Sequence, residues 1–211
     1  MKTLKILTGV FIVFSILIVS CDKKENEEEQ PPPPTEYEVV KVNTDFGDFM
    51  IWLYDTTSLH KQNFLTLTKN GFYDNLIYHR VIFDFVIQGG DPDATGSGGP
   101  GYNIPAEIVD GLDHVYGAVG AARLPDTLNP DRESNGSQYY IVCDQEGEHF
   151  LDGNYTVFGY VFSGMETVFD ISEVAVDAND RPVNDVLMKT LTIETYTEQE
   201  LKDDFNFDIP N

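Results

Sequence analysis

Between positions 37 and 194 apolar and polar residues alternate along much of the chain, and this two-residue period predicts strands. Around the middle, Tyr78, Arg80 and Ile82 fall on one side and His79, Val81 and Phe83 on the other. Phe85-Val86-Ile87-Gln88 follows, and Gly89-Gly90 ends the run. The same reading places strands at 37–44, 48–53, 78–83, 85–88, 115–121, 139–143, 157–162 and 187–194. Turn residues such as Asp45-Phe46-Gly47 and Asp152-Gly153-Asn154 separate them. Two segments look helical. One starts at a Thr57 or Ser58 cap, runs through Leu65 and closes with Gly71 after Asn70; the other covers 165–174, after Gly164. Many strands and two helices fit a mainly β domain, a closed antiparallel barrel with helices over its openings. Residues 36–195 suffice for one domain with a substantial core, and 196–211 read as an acidic tail beyond the last strand, with no role assigned.

The first 35 residues depart from this pattern. Lys2 and Lys5 precede an apolar run over 6–20, interrupted only by Thr8, Gly9 and Ser15. That run is short for a membrane-spanning helix and suits a secretory signal over 1–20. It closes with Ile18-Val19-Ser20-Cys21, which resembles the bacterial lipobox. The resemblance implies a lipidated Cys21 and a membrane-anchored protein of the bacterial cell envelope, periplasmic or surface-facing. Several acyl chains on one cysteine meet the requirement for stable anchoring. Residues 21–35 then read as a tether, because DKKENEEEQPPPPT is charged and then almost all proline. Polyproline II over 31–34 stiffens it, and at about 3 Å per residue it holds the domain roughly 40 Å from the bilayer.

Composition narrows the partners. There are 13 Lys+Arg against 36 Asp+Glu, a formal charge of −23, and loss of Lys2 and Lys5 on cleavage takes it to −25. So acidic a surface repels phosphate, which argues against nucleic acid and against electrostatic binding to anionic lipid. With Cys21 lipidated, Cys143 has no disulfide partner, and inside Tyr139-Tyr140-Ile141-Val142 it reads as small buried filler. Gly96-x-Gly98-x-x-Gly101 matches a dinucleotide fingerprint in letters only, since Pro100 and Pro105 stand where a helix must begin. Asp91-Pro92-Asp93 opens like a calcium loop whose twelfth position is Tyr102 rather than glutamate. His60, His79, His114 and His149 lack ligand spacing, and Ser137 lacks a nucleophile frame. No metal or cofactor is expected.

Two hydrogen-bonding heads, Arg80 and Gln88, remain beside Phe85 on an otherwise greasy strand pair, a surface suited to a neutral peptide. The stretch 72–91, FYDNLIYHRVIFDFVIQGGD, resembles the signature of the cyclophilin family of peptidyl-prolyl isomerases, roughly Phe-His-Arg-Val-Ile-x-x-Phe-x-x-Gln-Gly-Gly-Asp. Asn63-Phe64, the glycine-rich run 96–101, Asn135-Gly136-Ser137-Gln138-Tyr139-Tyr140-Ile141 and Phe150-Leu151-Asp152-Gly153 carry the likeness over nearly all of 37–195. It implies an eight-stranded antiparallel barrel capped by two helices. It also implies a foldase that isomerises X-Pro bonds in envelope or surface polypeptides; a monomer is expected. Carried over position by position, Arg80 is the catalytic guanidinium, Gln88 the amide that fixes it, and Phe85 the ring beside them. Phe85, Val86, Leu151 and Tyr140 form the proline pocket, and Gln138 bonds the substrate chain. The Ala122-Arg123 backbone pairs with that chain, Phe150 sits on the rim, Tyr155 stands where others have a histidine, and His79 supports the arginine. Three departures mark this chain: Phe83-Asp84 for the frequent Pro-Gly, a longer loop over 124–134 bringing Asp126, Asp131 and Glu133 near the groove, and Tyr140 for phenylalanine. The competing readings are a tethered module that binds proline peptides without turnover, and a degenerate barrel serving an assembly.

Overall fold

The computed structural model describes residues 34–210. The expected signal over 1–20, Cys21 and the tether up to residue 33 lie outside the described residues. In chain order the elements are β1 (Glu36–Thr44), β2 (Asp48–Leu53), α1 (Ser58–Lys69), β3 (Leu76–Ile82), β4 (Val86–Gly89) and β5 (Asn103–Ile104). β6 (Ala118–Ala121), β7 (Ser134–Asn135), β8 (Tyr139–Val142), β9 (Val157–Ser163), α2 (Met165–Ser172), β10 (Leu187–Thr197) and α3 (Glu198–Phe205) follow. Eight strands close an antiparallel barrel in the order β1-β10-β3-β4-β8-β6-β9-β2, while β5 and β7 pair outside it. The barrel expected from the alternation is the one observed.

Each barrel strand sends alternate side chains inward. Val40, Val42, Phe49, Ile51, Leu53, Ile87, Val119 and Ile141 fill the interior, each almost fully buried. Phe64 and Leu67 of α1 and Val168 and Ile171 of α2 pack into the same core. Cys143 is buried there too, and burial pushes its thiol up to about 12. The β3 alternation is broken once. Tyr78 pairs with Gly89 and Arg80 with Gln88, so His79 is an extra residue in β3. This bulge turns Tyr78 and Val81 both into the core, where strict alternation had put them on opposite sides. The start of α1 also differs from expectation. Neither Thr57 nor Ser58 caps it by side chain; the Glu107 carboxylate accepts the N–H groups of Leu59 (3.0 Å) and His60 (2.9 Å). A carboxylate opposite a helix N-terminus satisfies orphan donors and complements the helix dipole.

The segment after 195 is not a free tail, and a third helix joins the two expected. β10 continues to Thr197, whose hydroxyl accepts the Glu200 N–H while the Glu200 carboxylate accepts the Thr197 N–H at 2.7 Å. This capping box starts α3. Leu201, Phe205, Phe207 and Ile209 then cover Val39, Met50 and Trp52, which face out from β1 and β2. Phe207 lies 5.4 Å from Trp52 and 4.6 Å from Phe162, ring centre to ring centre. Trp52 is the single tryptophan and reports on this contact directly. We expect Phe207→Ala to lower unfolding free energy by about 2 kcal/mol and to shift the Trp52 emission to the red, both read from a fluorescence-monitored denaturant titration. Unchanged emission and midpoint would mean that the C-terminal segment does not hold this face.

Candidate active site

The outward faces of β3, β4, β8 and β6 form one row. Arg80 pairs across with Gln88, Gln88 with Tyr140, and Tyr140 with Gly120. Alternation decides this placement: the inward neighbours Val81, Ile87, Ile141 and Val119 anchor the strands in the core, so the row must face out. Glycine is needed at the end of the row. A Cβ on Gly120 would stand 2.3 Å from Tyr140 Cζ, well inside contact distance, so only a bare backbone lets the tyrosine ring lie there.

Side-chain amides tie the row together. Arg80 Nη1 donates to Gln88 Oε1 (3.3 Å), Gln88 Nε2 to Gln138 Oε1 (3.1 Å), and Gln138 Nε2 to the Gly98 carbonyl (2.8 Å). The guanidinium carbon lies 5.8 Å from the Phe85 ring centre, and Phe85 stacks on Phe150 at 6.0 Å. Asp180 is the nearest acid, 3.9 Å from Arg80 Nε. Arg80, Phe85, Val86, Gln88, Ala122, Arg123, Tyr140, Phe150, Leu151 and Tyr155 line one cavity of about 290 Å³. These are all the residues assigned to catalysis or substrate binding from the sequence except Gln138; His79, expected to support the arginine, does not line the cavity. Gln138 lines an adjoining cavity of about 450 Å³ that shares Gln88, Ala122 and Arg123 with the first. Phe150 is 69 % exposed and forms an open rim.

Some expected roles shift. The Ala122 N–H donates to Gln138 O (3.0 Å) and its carbonyl accepts from Asn135 N–H (2.8 Å), so Ala122 offers the groove chiefly its methyl group. Arg123 is clamped. It donates to Asn154 O (3.0 Å), Leu124 O (2.9 Å) and Asp126 (2.6 Å), and its guanidinium lies 4.3 Å from the Tyr155 ring centre. Arg132 also reaches Asp126 (3.0 Å), and the two arginines hold that carboxyl below its usual range. Glu133 lines the second cavity, whereas Asp131 lines neither. The Phe83-Asp84 turn persists, with Asp84 in the left-handed region (φ 55°) and Phe85 N–H bonded to Ile82 O. Asp91 is buried and accepts the N–H groups of Asp93, Thr95, Gly96 and Gly98, fixing the glycine-rich loop that presents the Gly98 carbonyl. Burial works against its charge, yet these bonds win and hold its carboxyl low. His79 in the bulge is buried, and burial lowers its proton affinity.

Two residues behind the pocket were not singled out from the sequence. His114 is fully buried, stacked parallel to Tyr140, with Nε2 2.8 Å from the Tyr140 hydroxyl. Its Nδ1 lies 2.8 Å from Asp152 Oδ1, and the other Asp152 oxygen meets exposed His149 at 2.8 Å. A tyrosine in a carbon-lined pocket signals that its hydroxyl has a partner. Which of four histidines supplies it depends on the fold.

Known proteins resemble this chain over the same barrel. The family model described as cyclophilin type peptidyl-prolyl cis-trans isomerase/CLD matches residues 39–193. The chain belongs to this family. Peptidyl-prolyl cis-trans isomerase CYP18-2 of Arabidopsis thaliana is 36 % identical over 160 residues, covering 74 % of this chain and 93 % of that protein. Peptidyl-prolyl cis-trans isomerase-like 1 of Rhizopus delemar is 40 % identical over 151 residues, covering 70 % and 87 %. A crystal structure of a cyclophilin type peptidyl-prolyl cis-trans isomerase from Cryptosporidium parvum, obtained in the presence of the dipeptide Ala-Pro, aligns with a TM-score of 0.68 and 30 % identity. That alignment covers 74 % of this chain and 98 % of the other. The cyclophilin described here is thus a peptidyl-prolyl cis-trans isomerase, and its eight-stranded barrel is that of its relatives.

Proposed function

We propose that this cyclophilin is a membrane-tethered foldase of the bacterial cell envelope, isomerising X-Pro bonds in polypeptides that fold there, with Arg80 as its catalytic group. The carrying observation is the Arg80–Gln88 bond at the edge of a carbon-lined cavity. An X-Pro bond turns slowly because nitrogen lends its lone pair to the carbonyl, a barrier of about 18–20 kcal/mol in ordinary amides. No covalent bond has to break. Val86, Leu151, Phe85 and the Tyr140 ring hold the proline ring, while the acyl side rotates in the open half of the groove. As the carbon–nitrogen bond twists, the nitrogen pyramidalises and its lone pair localises. A guanidinium donor then gains a stronger acceptor than the ground state offered, which is differential transition-state stabilisation. Arginine suits this role, being charged at every working pH and offering five N–H donors, of which Gln88 takes one. Gln138 and the backbone at Arg123 are the groups through which the flanking chain is held. The Cryptosporidium parvum relative, crystallised in the presence of Ala-Pro, supports a proline-containing ligand for the same groove. The envelope address rests on the 6–20 apolar run and on Ile18-Val19-Ser20-Cys21.

We expect Arg80→Ala to lower kcat/KM for a proline tetrapeptide by about 10²–10³ while fold and peptide binding survive. Arg80→Lys should recover little of it, because an ammonium lacks the planar fork. Unchanged turnover by a folded Arg80→Ala protein would leave the proline-binding module without turnover as the better reading. For the anchor, cells fed a labelled fatty acid should mark the wild-type protein and leave Cys21→Ser unlabelled; equal labelling of the two would refute lipidation at Cys21.

A further inference from the structure

The Tyr140 hydroxyl belongs to the pocket residue that the family usually fills with phenylalanine. A buried hydroxyl needs a partner, and turned toward the cavity it would wet the surface meant for a proline ring. Here it turns away. Asp152 also accepts the His114 backbone N–H at 2.7 Å, and its carboxyl is held ionised below the usual range: burial opposes this, but the His114 and His149 bonds prevail. An ionised carboxylate only accepts, so the His114 ring proton sits on Nδ1 and Nε2 is left with a lone pair. Tyr140 must then donate to Nε2, and the two rings lie 13° from parallel at 5.9 Å. Gly120 leaves room for this pose on the other side.

We propose that His114, oriented by Asp152, is a positioning residue for the proline pocket: by accepting the Tyr140 hydroxyl it holds the tyrosine ring with its carbon surface toward the substrate. This rests on the reading that the 290 Å³ cavity takes the proline ring. His114 does not line that cavity and acts only through Tyr140. A direct consequence is a pH response in binding. Burial lowers the proton affinity of His114 most, Asp152 and Asp113 raise it, and His149 lowers it; the balance falls below the ordinary histidine value. Tyr155 lies edge-on to His114 and Tyr140, and the charge of Arg123 also acts on Tyr140. Above the lowered His114 value the ring is neutral and the Tyr140 bond intact. Below it Nε2 becomes a donor, and the hydroxyl proton must find another direction among carbon atoms.

The test is a double-substitution cycle with an uncharged, end-blocked proline tetrapeptide, measuring KM and kcat separately. In the Tyr140 background His114→Phe should raise KM roughly tenfold, the scale of an unsatisfied buried hydroxyl, with kcat less affected. In the Tyr140→Phe background the same change should move KM less than about twofold, since no hydroxyl remains to be held. The wild-type KM should rise as pH falls below the ordinary histidine range, and Tyr140→Phe should abolish that rise. Should the histidine variants fail to fold, ¹⁵N spectra of histidine-labelled wild type still decide: the His114 Nδ1 must carry the proton and Nε2 must be bare. Equal KM effects in both backgrounds, an acid limb that persists in Tyr140→Phe, or the opposite tautomer would overturn the proposal. Absence of any turnover in the wild type would instead sink the reading of the cavity itself.

Discussion

The cross-strand row Arg80–Gln88–Tyr140–Gly120 is the constraint on which the site depends. Four strands must be in register for these residues to lie side by side, and a slip of one residue in any of them would carry its member into the barrel core. For Arg80 that slip would mean burying a guanidinium among valines and isoleucines, which desolvation forbids. Closure of the barrel and assembly of the groove are therefore one event. The His79 bulge belongs to the same constraint, since in a regular strand of the same sequence Tyr78 and Arg80, two residues apart, would share a face.

Around this row nearly every polar group is already committed. Gln88 and Gln138 are fixed in sequence to the Gly98 carbonyl, and the glycine-rich loop carrying it is fixed by Asp91. The guanidinium thus hangs from a chain of bonds whose far end is rigid backbone, so little reorganisation is needed when charge shifts during rotation of the prolyl bond. Phe85 and Phe150 stack over the entrance, while Arg123 is held by Asn154 and Asp126 rather than left free for substrate. Polar rigidity lies on one side of the groove and apolar surface on the other, as rotation about a single bond demands.

Much of this was legible in the sequence. Period-two alternation located the barrel strands, since each keeps one face in the core, and the 72–91 motif supplied Arg80, Phe85 and Gln88. Other features escaped because they depend on contacts distant in sequence. The Thr57-Ser58 signal marks where α1 begins, but the capping carboxylate is that of Glu107, far along the chain, and no local pattern announces it. The bulge at His79 leaves no trace in an alternating pattern, because an inserted apolar-compatible residue looks like one more strand position. The third helix had a local signature, Thr197-x-x-Glu200, but its acidic composition hid the apolar stripe of Leu201, Phe205 and Phe207. Ala122 matched its position while its peptide groups were already taken by neighbours that only the fold reveals.

The amide anchor offers the most direct test of a preorganised guanidinium. Gln88→Leu keeps the volume of residue 88 and leaves Arg80 in place, but cuts the link from Arg80 to the Gly98 carbonyl. Two-dimensional exchange NMR on a tetrapeptide with one X-Pro bond, with substoichiometric protein, reads cis–trans exchange and binding in the same sample. If anchoring positions the guanidinium, exchange per protein should fall, by up to about a hundredfold for a misplaced group, while peptide affinity changes little. Exchange by folded Gln88→Leu as fast as wild type would contradict it, and the row would then align side chains without contributing to the reaction.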